Sequence, residues 1–200
     1  MKKLIFPGIA LFAMLVFSMN FLTADNTSRG DYKVGDKVED FTITNFDGNS
    51  YTLSTSGGKA TVVMFWSTEC PFVQPYTERI NALASTYAPQ GIVFWGINSN
   101  QTEDAGTVAS HWKEKAYSFT MLKDEKSSVA NTFGAQRTPE VFVIDNATMT
   151  ILYHGSIDDN KDASAVTAQY LKNALDEYLA GKDISKKETK SFGCGIKRGS

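Results

Sequence analysis

The chain has 200 residues and a formal net charge of −2, with 12% aromatic and 21% charged side chains. That length and composition suit one folded domain with a substantial apolar core and exclude a disordered chain. There is no basic patch and no nucleic-acid motif, which sets that class of partner aside.

The first residues read as an export signal. Lys2 and Lys3 give a positive start, Leu4 to Phe17 an apolar stretch broken by Pro7 and Gly8, and Leu22-Thr23-Ala24 a small-residue cleavage site. The reading is a signal peptide over residues 1–24 and an exported protein, periplasmic or extracellular. The stretch is short for a membrane span. An uncleaved anchor is the alternative and the only membrane association expected. Export would place the two cysteines of the chain, Cys70 and Cys194, where disulfides persist.

Residues 25–31 are a polar linker. From Tyr32 the chain alternates around Phe41 and Ile43, breaks at 45–49 and resumes at Tyr51 and Leu53, which predicts a hairpin turning on Asp47-Gly48. Val62-Val63-Met64-Phe65-Trp66 is an unbroken apolar run, the pattern of a strand buried on both faces. Ser67-Thr68-Glu69 then makes a polar turn that delivers Cys70, with Pro71 behind it, to the start of a predicted helix. Its apolar stripe is Phe72, Tyr76, Ile80, Leu83, Ala84 and Tyr87. Pro71 suits a first helical turn, whereas Pro75 is expected to bend it.

Gly91 stops that helix and residues 92–97 form a second buried strand, followed by a polar loop from Asn98. Val108, Ala109, Trp112 and Ala116 mark a second helix, 118–122 a short strand, and 127–133 a short helix ending at Gly134. Strands are predicted at 141–144 and 150–154, then an amphipathic helix over 165–179 ended by Gly181. Residues 182–200 form a polar, flexible tail except around Cys194. Strands alternating with helices predict an α/β fold: a central mixed sheet, parallel early and antiparallel late, with flanking helices behind the hairpin.

Cys70 is the leading candidate for chemistry. A thiolate at a helix N-terminus faces free N–H groups and the positive end of the helix dipole, settings in which thiols become reactive. Glu69 opposes this with its negative charge, and Arg137 is a candidate to offset it. The alternative is an inert buried cysteine or half of a permanent bridge. Cys194 sits between Gly193 and Gly195, as a mobile resolving thiol would, or as a staple holding the tail. Ser67 is a candidate hydrogen-bond donor to a thiolate or peroxide, or simply a turn residue. The acidic loop with Asp158, Asp159, Asn160 and Asp162 lacks EF-hand spacing and reads as a solvated turn. His111 and His154 nominate no metal site, and no cofactor is expected.

The order of these motifs resembles the thioredoxin-like superfamily over residues 32–181, specifically its redoxin (AhpC/TSA) branch. VGDKVEDFTITNFDGNSYTL is similar to the redoxin opening, and FWSTEC to the strand-to-cysteine turn of exported thiol-disulfide oxidoreductases. A peroxiredoxin-like subfamily is resembled more closely. Its motifs match CPFVQPY at 70–76, GINSN at 96–100, RTPEVFVID at 137–145, GSIDDN at 155–160 and GC-x-I at 193–196. The resemblance implies a thioredoxin-like fold and a cis bond at Thr138-Pro139 beside the reactive sulfur. Thr138, Pro139 and Arg137 then form a loop that binds a partner chain. It further implies protein disulfides or a peroxide as substrate, and a reducing thiol partner.

The departures matter as much. The second cysteine expected three residues after the first is Val73, and the buried acid expected six before it is Met64. Val63 and Ser67 keep only half of the peroxiredoxin motif. A copper carrier would need a second nearby thiol, which Val73 removes. Two functions therefore stand: an oxidoreductase with Cys70 as nucleophile and Cys194 as resolving thiol, or a non-catalytic binding module stapled by Cys70–Cys194. The expected organisation is a signal peptide at 1–24, a redoxin domain at 32–181 and a tail at 182–200.

Overall fold

The computed structural model describes Met1 and residues 30–199, so the predicted signal peptide otherwise lies outside the described residues. The N-terminal hairpin forms as predicted. Strands β1 (Thr42–Thr44) and β2 (Ser50–Thr52) pair antiparallel, and the turn closes with Gly48 N donating to Asn45 O at 3.0 Å. Strand β3 (Ala60–Phe65) is buried at every position, as an apolar run without alternation requires. Helix α1 (Thr77–Tyr87) leads to β4 (Ile92–Asn98), α2 (Ala105–Glu114), β5 (Thr120–Lys123) and α3 (Ser128–Phe133). The two-residue β6 (Arg137–Thr138) precedes β7 (Glu140–Asp145) and β8 (Thr150–Gly155), with α4 (Tyr170–Leu179) and a last short strand, β9 (Cys194–Gly195), completing the chain.

The main sheet runs β5-β4-β3-β7-β8. Pairings β3–β4 and β4–β5 are parallel, whereas β3–β7 and β7–β8 are antiparallel. Side chains alternate across it. Val62 and Met64 pack with Ile80 and Ala84 of α1 and Leu171 and Leu175 of α4 on one face. Val63 and Phe65 pack with Leu53 behind the hairpin and Phe133 of α3 on the other. Edge-to-face contacts of Phe133 with Phe65 and Phe142 lock that second layer, with centroids 5.7 and 5.1 Å apart. No helix among the described residues is long and apolar enough to cross a membrane.

Three sequence expectations need correction. The helix predicted directly behind Cys70 starts only at Thr77; residues 71–76 wind more tightly, as a turn and a 3-10 segment. Val73 N donates to Cys70 O and Tyr76 N to Val73 O, each at 2.9 Å. Pro75 has no N–H to continue an α-helical ladder there, so i→i+3 bonds take its place. The last helix starts at Tyr170, not at 165. Asp162 caps a 3-10 turn at Ala163–Ala165 and Val166 then leaves it extended, while Asp159 accepts from Thr167 N at 2.9 Å. Local carboxylate-to-backbone bonds overrode the helical spacing.

The third correction is the tail, which is not a loose appendage. His154 N donates to Lys187 O, Thr189 N to His154 O and Ile196 N to Gln136 O, each at 3.0 Å. Thr189 Oγ1 lies 2.7 Å from Tyr153 OH. The tail passes so close over Gly155 that a Cβ there would sit 2.0 Å from Thr189 Oγ1. Its own Ile184 and Ile196 are buried in the core.

Candidate active site

The turn carrying Cys70 is built from the end of β3. Trp66 N donates to Ile97 O at 2.9 Å, holding the chain beside β4 for one residue more. Ser67, itself buried, then accepts from Glu69 N at 3.2 Å and Cys70 N at 3.1 Å, a side-chain cap on the turn. Gln74 Nε2 closes it from the far side on Thr68 O at 2.9 Å. Cys70 is 3% exposed.

Cys70 and Cys194 are joined by a disulfide with their Cα atoms 6.0 Å apart, inside the range a bridge allows. The Thr138-Pro139 bond is cis. Cys70 Sγ lies 3.3 Å from Thr138 O, which places that loop directly against the sulfur. Strand β9 pairs antiparallel with β6, Thr138 opposite Cys194 and Arg137 opposite Gly195. Four of the predicted site residues, Cys70, Cys194, Thr138 and Pro139, thus meet in one place.

Arg137 and Ser67 belong to the same region with different partners from those expected. Arg137 Nη1 donates to Gly193 O at 3.1 Å, and Glu69 is paired instead by Lys197 Nζ at 2.9 Å. The docked tail brings a lysine to Glu69 that no spacing in the sequence relates to it. The Ser67 hydroxyl donates to Glu103 Oε1 at 2.6 Å, not to the sulfur. Thr138 Oγ1 is buried without a hydrogen-bond partner among the described residues. Val73 and Met64 are fully buried, filling with packing the places where a second cysteine and an acid were expected. Asp158, expected in a solvated turn, is buried against Tyr76 OH at 3.0 Å and paired with Arg79. Burial raises its pKa, with Tyr76 and Arg79 pulling the other way. Among the described residues no cluster of three His, Cys, Asp or Glu groups is placed to hold a metal.

Two carboxylates that sequence reasoning passed over frame the site. Glu140 follows the cis-proline and is buried. It accepts from Gln136 N at 2.8 Å, Arg137 N at 2.9 Å and His154 Nε2 at 2.7 Å. Burial pushes its pKa up, but the bond from His154 and the two backbone N–H groups outweigh this and hold it below 4.5. A depressed carboxylate stabilises the fold above its unfolded value, and that contribution is lost as pH falls through the folded value. Glu140→Ala orphans two loop N–H groups, so a loss of about 2–4 kcal/mol in urea unfolding at neutral pH is expected; a loss under about 0.5 kcal/mol contradicts this.

Glu103 lies just ahead of α2 and is 1% exposed. Its carboxylate receives Ser67 Oγ, Thr68 N, Thr68 Oγ1, Asn98 Nδ2 and Asn100 Nδ2. Burial alone would raise its pKa; the bonds from Ser67, Thr68 and Asn100 win and keep it ionised below the usual glutamate value. The only sequence signal for it is a polar stretch following a buried strand.

The AhpC/TSA family pattern matches residues 34–153. The chain belongs to that family. A hypothetical protein from Sinorhizobium meliloti 1021 is 34% identical, over 86% of this chain and 97% of that one, and superposes with a TM-score of 0.78. An uncharacterized conserved protein from Geobacillus kaustophilus is 32% identical over 83% and 92% of the two chains, with a TM-score of 0.76. Among curated proteins, the thiol-disulfide oxidoreductase ResA of Bacillus thuringiensis subsp. konkukian is 23% identical over 76% of this chain and 80% of its own. Within the AhpC/TSA frame, Val73 stands in the turn after Cys70 and the second cysteine, Cys194, lies on the C-terminal strand β9.

Proposed function

We propose that this protein is an exported thiol-disulfide oxidoreductase in which Cys70 is the nucleophile and Cys194 the resolving thiol. The observation that carries the reading is the Cys70–Cys194 bridge lying against the cis-Thr138-Pro139 loop. The likeness to ResA supports the reaction class, and the predicted signal peptide at 1–24 supports export.

In the reduced protein the Cys70 thiolate attacks one sulfur of a substrate disulfide, forming a mixed disulfide and releasing one substrate thiolate. The Cys194 thiolate then attacks Cys70 Sγ, the Cys70–Cys194 bond forms, and the second substrate thiolate leaves. Two electrons pass to the substrate, and an external dithiol returns them to the bridge. With a peroxide, Cys70 would become a sulfenic acid and Cys194 would displace water from it. Thr138, Pro139 and Arg137 form the partner-binding edge, and Ser67 shapes the turn from within. Strand β9 occupies the β6 edge in the bridged form, so a protein substrate reaches Cys70 only with the tail lifted. This assigns residues 32–181 to the reacting domain and 182–200 to a tail that docks and releases.

The test is Cys194→Ser, purified from its native compartment under acid quench. Without a resolving thiol, mixed disulfides on Cys70 should accumulate and disappear with dithiothreitol or with Cys70→Ser. The docking of the tail by backbone bonds favours one rival, a static staple on a binding module. That rival predicts no covalent adduct on Cys70 and partner capture that survives Cys70→Ser.

A further inference from the structure

Between the two cysteines lies a buried polar network that neither the thiol chemistry nor the core requires. From the nucleophile's side, Cys70 N donates to Ser67 Oγ at 3.1 Å and Ser67 Oγ donates to Glu103 Oε1 at 2.6 Å. From the tail's side, Lys197 N donates to Asn100 Oδ1 at 2.7 Å and Asn100 Nδ2 donates to Glu103 Oε1. The two paths converge on one oxygen. Lys197 is three residues beyond Cys194 in the same docked tail, and its carbonyl accepts from Gln101 N at 2.8 Å.

The other oxygen is equally committed. Oε2 accepts from Thr68 N at 2.7 Å, Thr68 Oγ1 at 2.6 Å and Asn98 Nδ2 at 2.6 Å. The loop between these partners is clamped from its far side too. Lys123 is buried at the end of β5 and its ammonium donates to Asn100 O at 2.8 Å. Asn100 N in turn bonds Asn98 Oδ1 at 3.2 Å. A buried carboxylate is costly unless its lone pairs are filled. Here five donors fill them, and each donor is thereby fixed in place.

We infer that Glu103 is a positioning residue for the redox pair, holding Cys70 through the Ser67-Thr68 turn and Cys194 through Asn100 and the Lys197 amide. The inference rests on the reading of Cys70 and Cys194 as a working pair and deepens it. Fixing both ends raises the effective concentration of one thiol at the other and so deepens the stability of the bridge. The carboxylate that organises the site arrives from the α2 approach, on the side where it also reaches the tail.

Glu103→Gln is diagnostic because it keeps the shape and removes the second acceptor. Whichever way the amide turns, its NH₂ faces groups that donate. Equilibration with glutathione should show the constant for forming the bridge falling at least tenfold, about 30 mV in potential. Asn100→Ala cuts only the tail's path. It should lower the same constant while leaving the alkylation rate of Cys70 in a Cys194→Ser background within twofold, whereas Glu103→Gln changes that rate as well. A merely structural glutamate lowers the unfolding stability of oxidised and reduced protein equally and leaves the potential unmoved. A constant within threefold of wild type in folded Glu103→Gln overturns the inference, as does the same result in Asn100→Ala should the first variant not fold. If the wild-type bridge neither opens nor closes with glutathione, the redox-pair reading fails instead.

Discussion

Gly193→Ala is expected to weaken the Cys70–Cys194 bridge by about a hundredfold without disturbing the domain. The residue lies one before Cys194, at φ +146°, and a Cβ there would stand 2.1 Å from Thr138 O and 2.8 Å from its carbonyl carbon. Those atoms are backbone, held by the β6–β9 pairing and the cis loop, so the tail has to back away. A side chain at positive φ costs about 1–2 kcal/mol, and forced overpacking about 1–3 kcal/mol. Their sum, about 3 kcal/mol, corresponds to roughly two orders of magnitude in the redox equilibrium. In potential that is a rise of about 60 mV. Gly195→Ala is the internal control, because nothing lies within 4 Å of a Cβ there; it should stay within twofold. Equal behaviour of the two variants in glutathione titration would show that the tail closes by some route other than this approach to Thr138.

Much of the fold was legible because its signals are local. The unbroken apolar runs that became β3, β4 and β7 are short, rich in β-branched and aromatic residues and bounded by turns, which marks them as strands in the middle of a sheet. The Asp47-Gly48 turn marked its own hairpin. Errors arose where one local preference beat another. Pro75 turned the expected first helical turn into a 3-10 segment, and the Asp159 and Asp162 caps delayed α4 to Tyr170. At the site, Cys70 was legible from its place at a strand-to-helix turn, whereas the Thr138-Pro139 loop was legible only through a family resemblance, since the cis bond leaves no trace in composition or periodicity.

Glu103 and the docking of the tail were not legible, for a shared reason. Both depend on partners distant in sequence and on polar groups that carry no periodic pattern. Glu103 meets Ser67 and Thr68, 36 and 35 residues away. The tail is held largely through backbone N–H and C=O groups, whose pairing any polar sequence can supply. A side-chain pattern reports which faces seek the core, and the tail sends only Ile184 and Ile196 into it as buried aliphatic side chains, too few to make a periodic signal. Gly155 and Gly193 were the available clues. Each is a place where a passing backbone tolerates no Cβ, but a glycine alone does not say what passes it.

Reduction of the bridge is expected to lower the melting temperature by roughly 10–20 °C while leaving a cooperatively folded protein. The closed loop spans a sequence separation of 124, for which the chain-entropy relation predicts about 5 kcal/mol of stabilisation, acting through the unfolded ensemble. For a chain of this size each kcal/mol moves the midpoint by about 2–4 °C. The folded side changes less, because the tail's bonds to His154 are made at Lys187 and Thr189, away from the bridge, and β3, β4 and β7 are held by their own ladders. Calorimetry with and without dithiothreitol measures the difference directly, with a Cys70→Ser/Cys194→Ser protein as the reference for the reduced state. The outcome bears on function because the cycle needs the reduced form to survive: Cys70 attacks only as a free thiolate. A reduced protein already unfolded at 25 °C would mark the bridge as a staple the fold cannot release. A shift in the expected range leaves the domain standing and the edge beside Thr138 open to a partner chain.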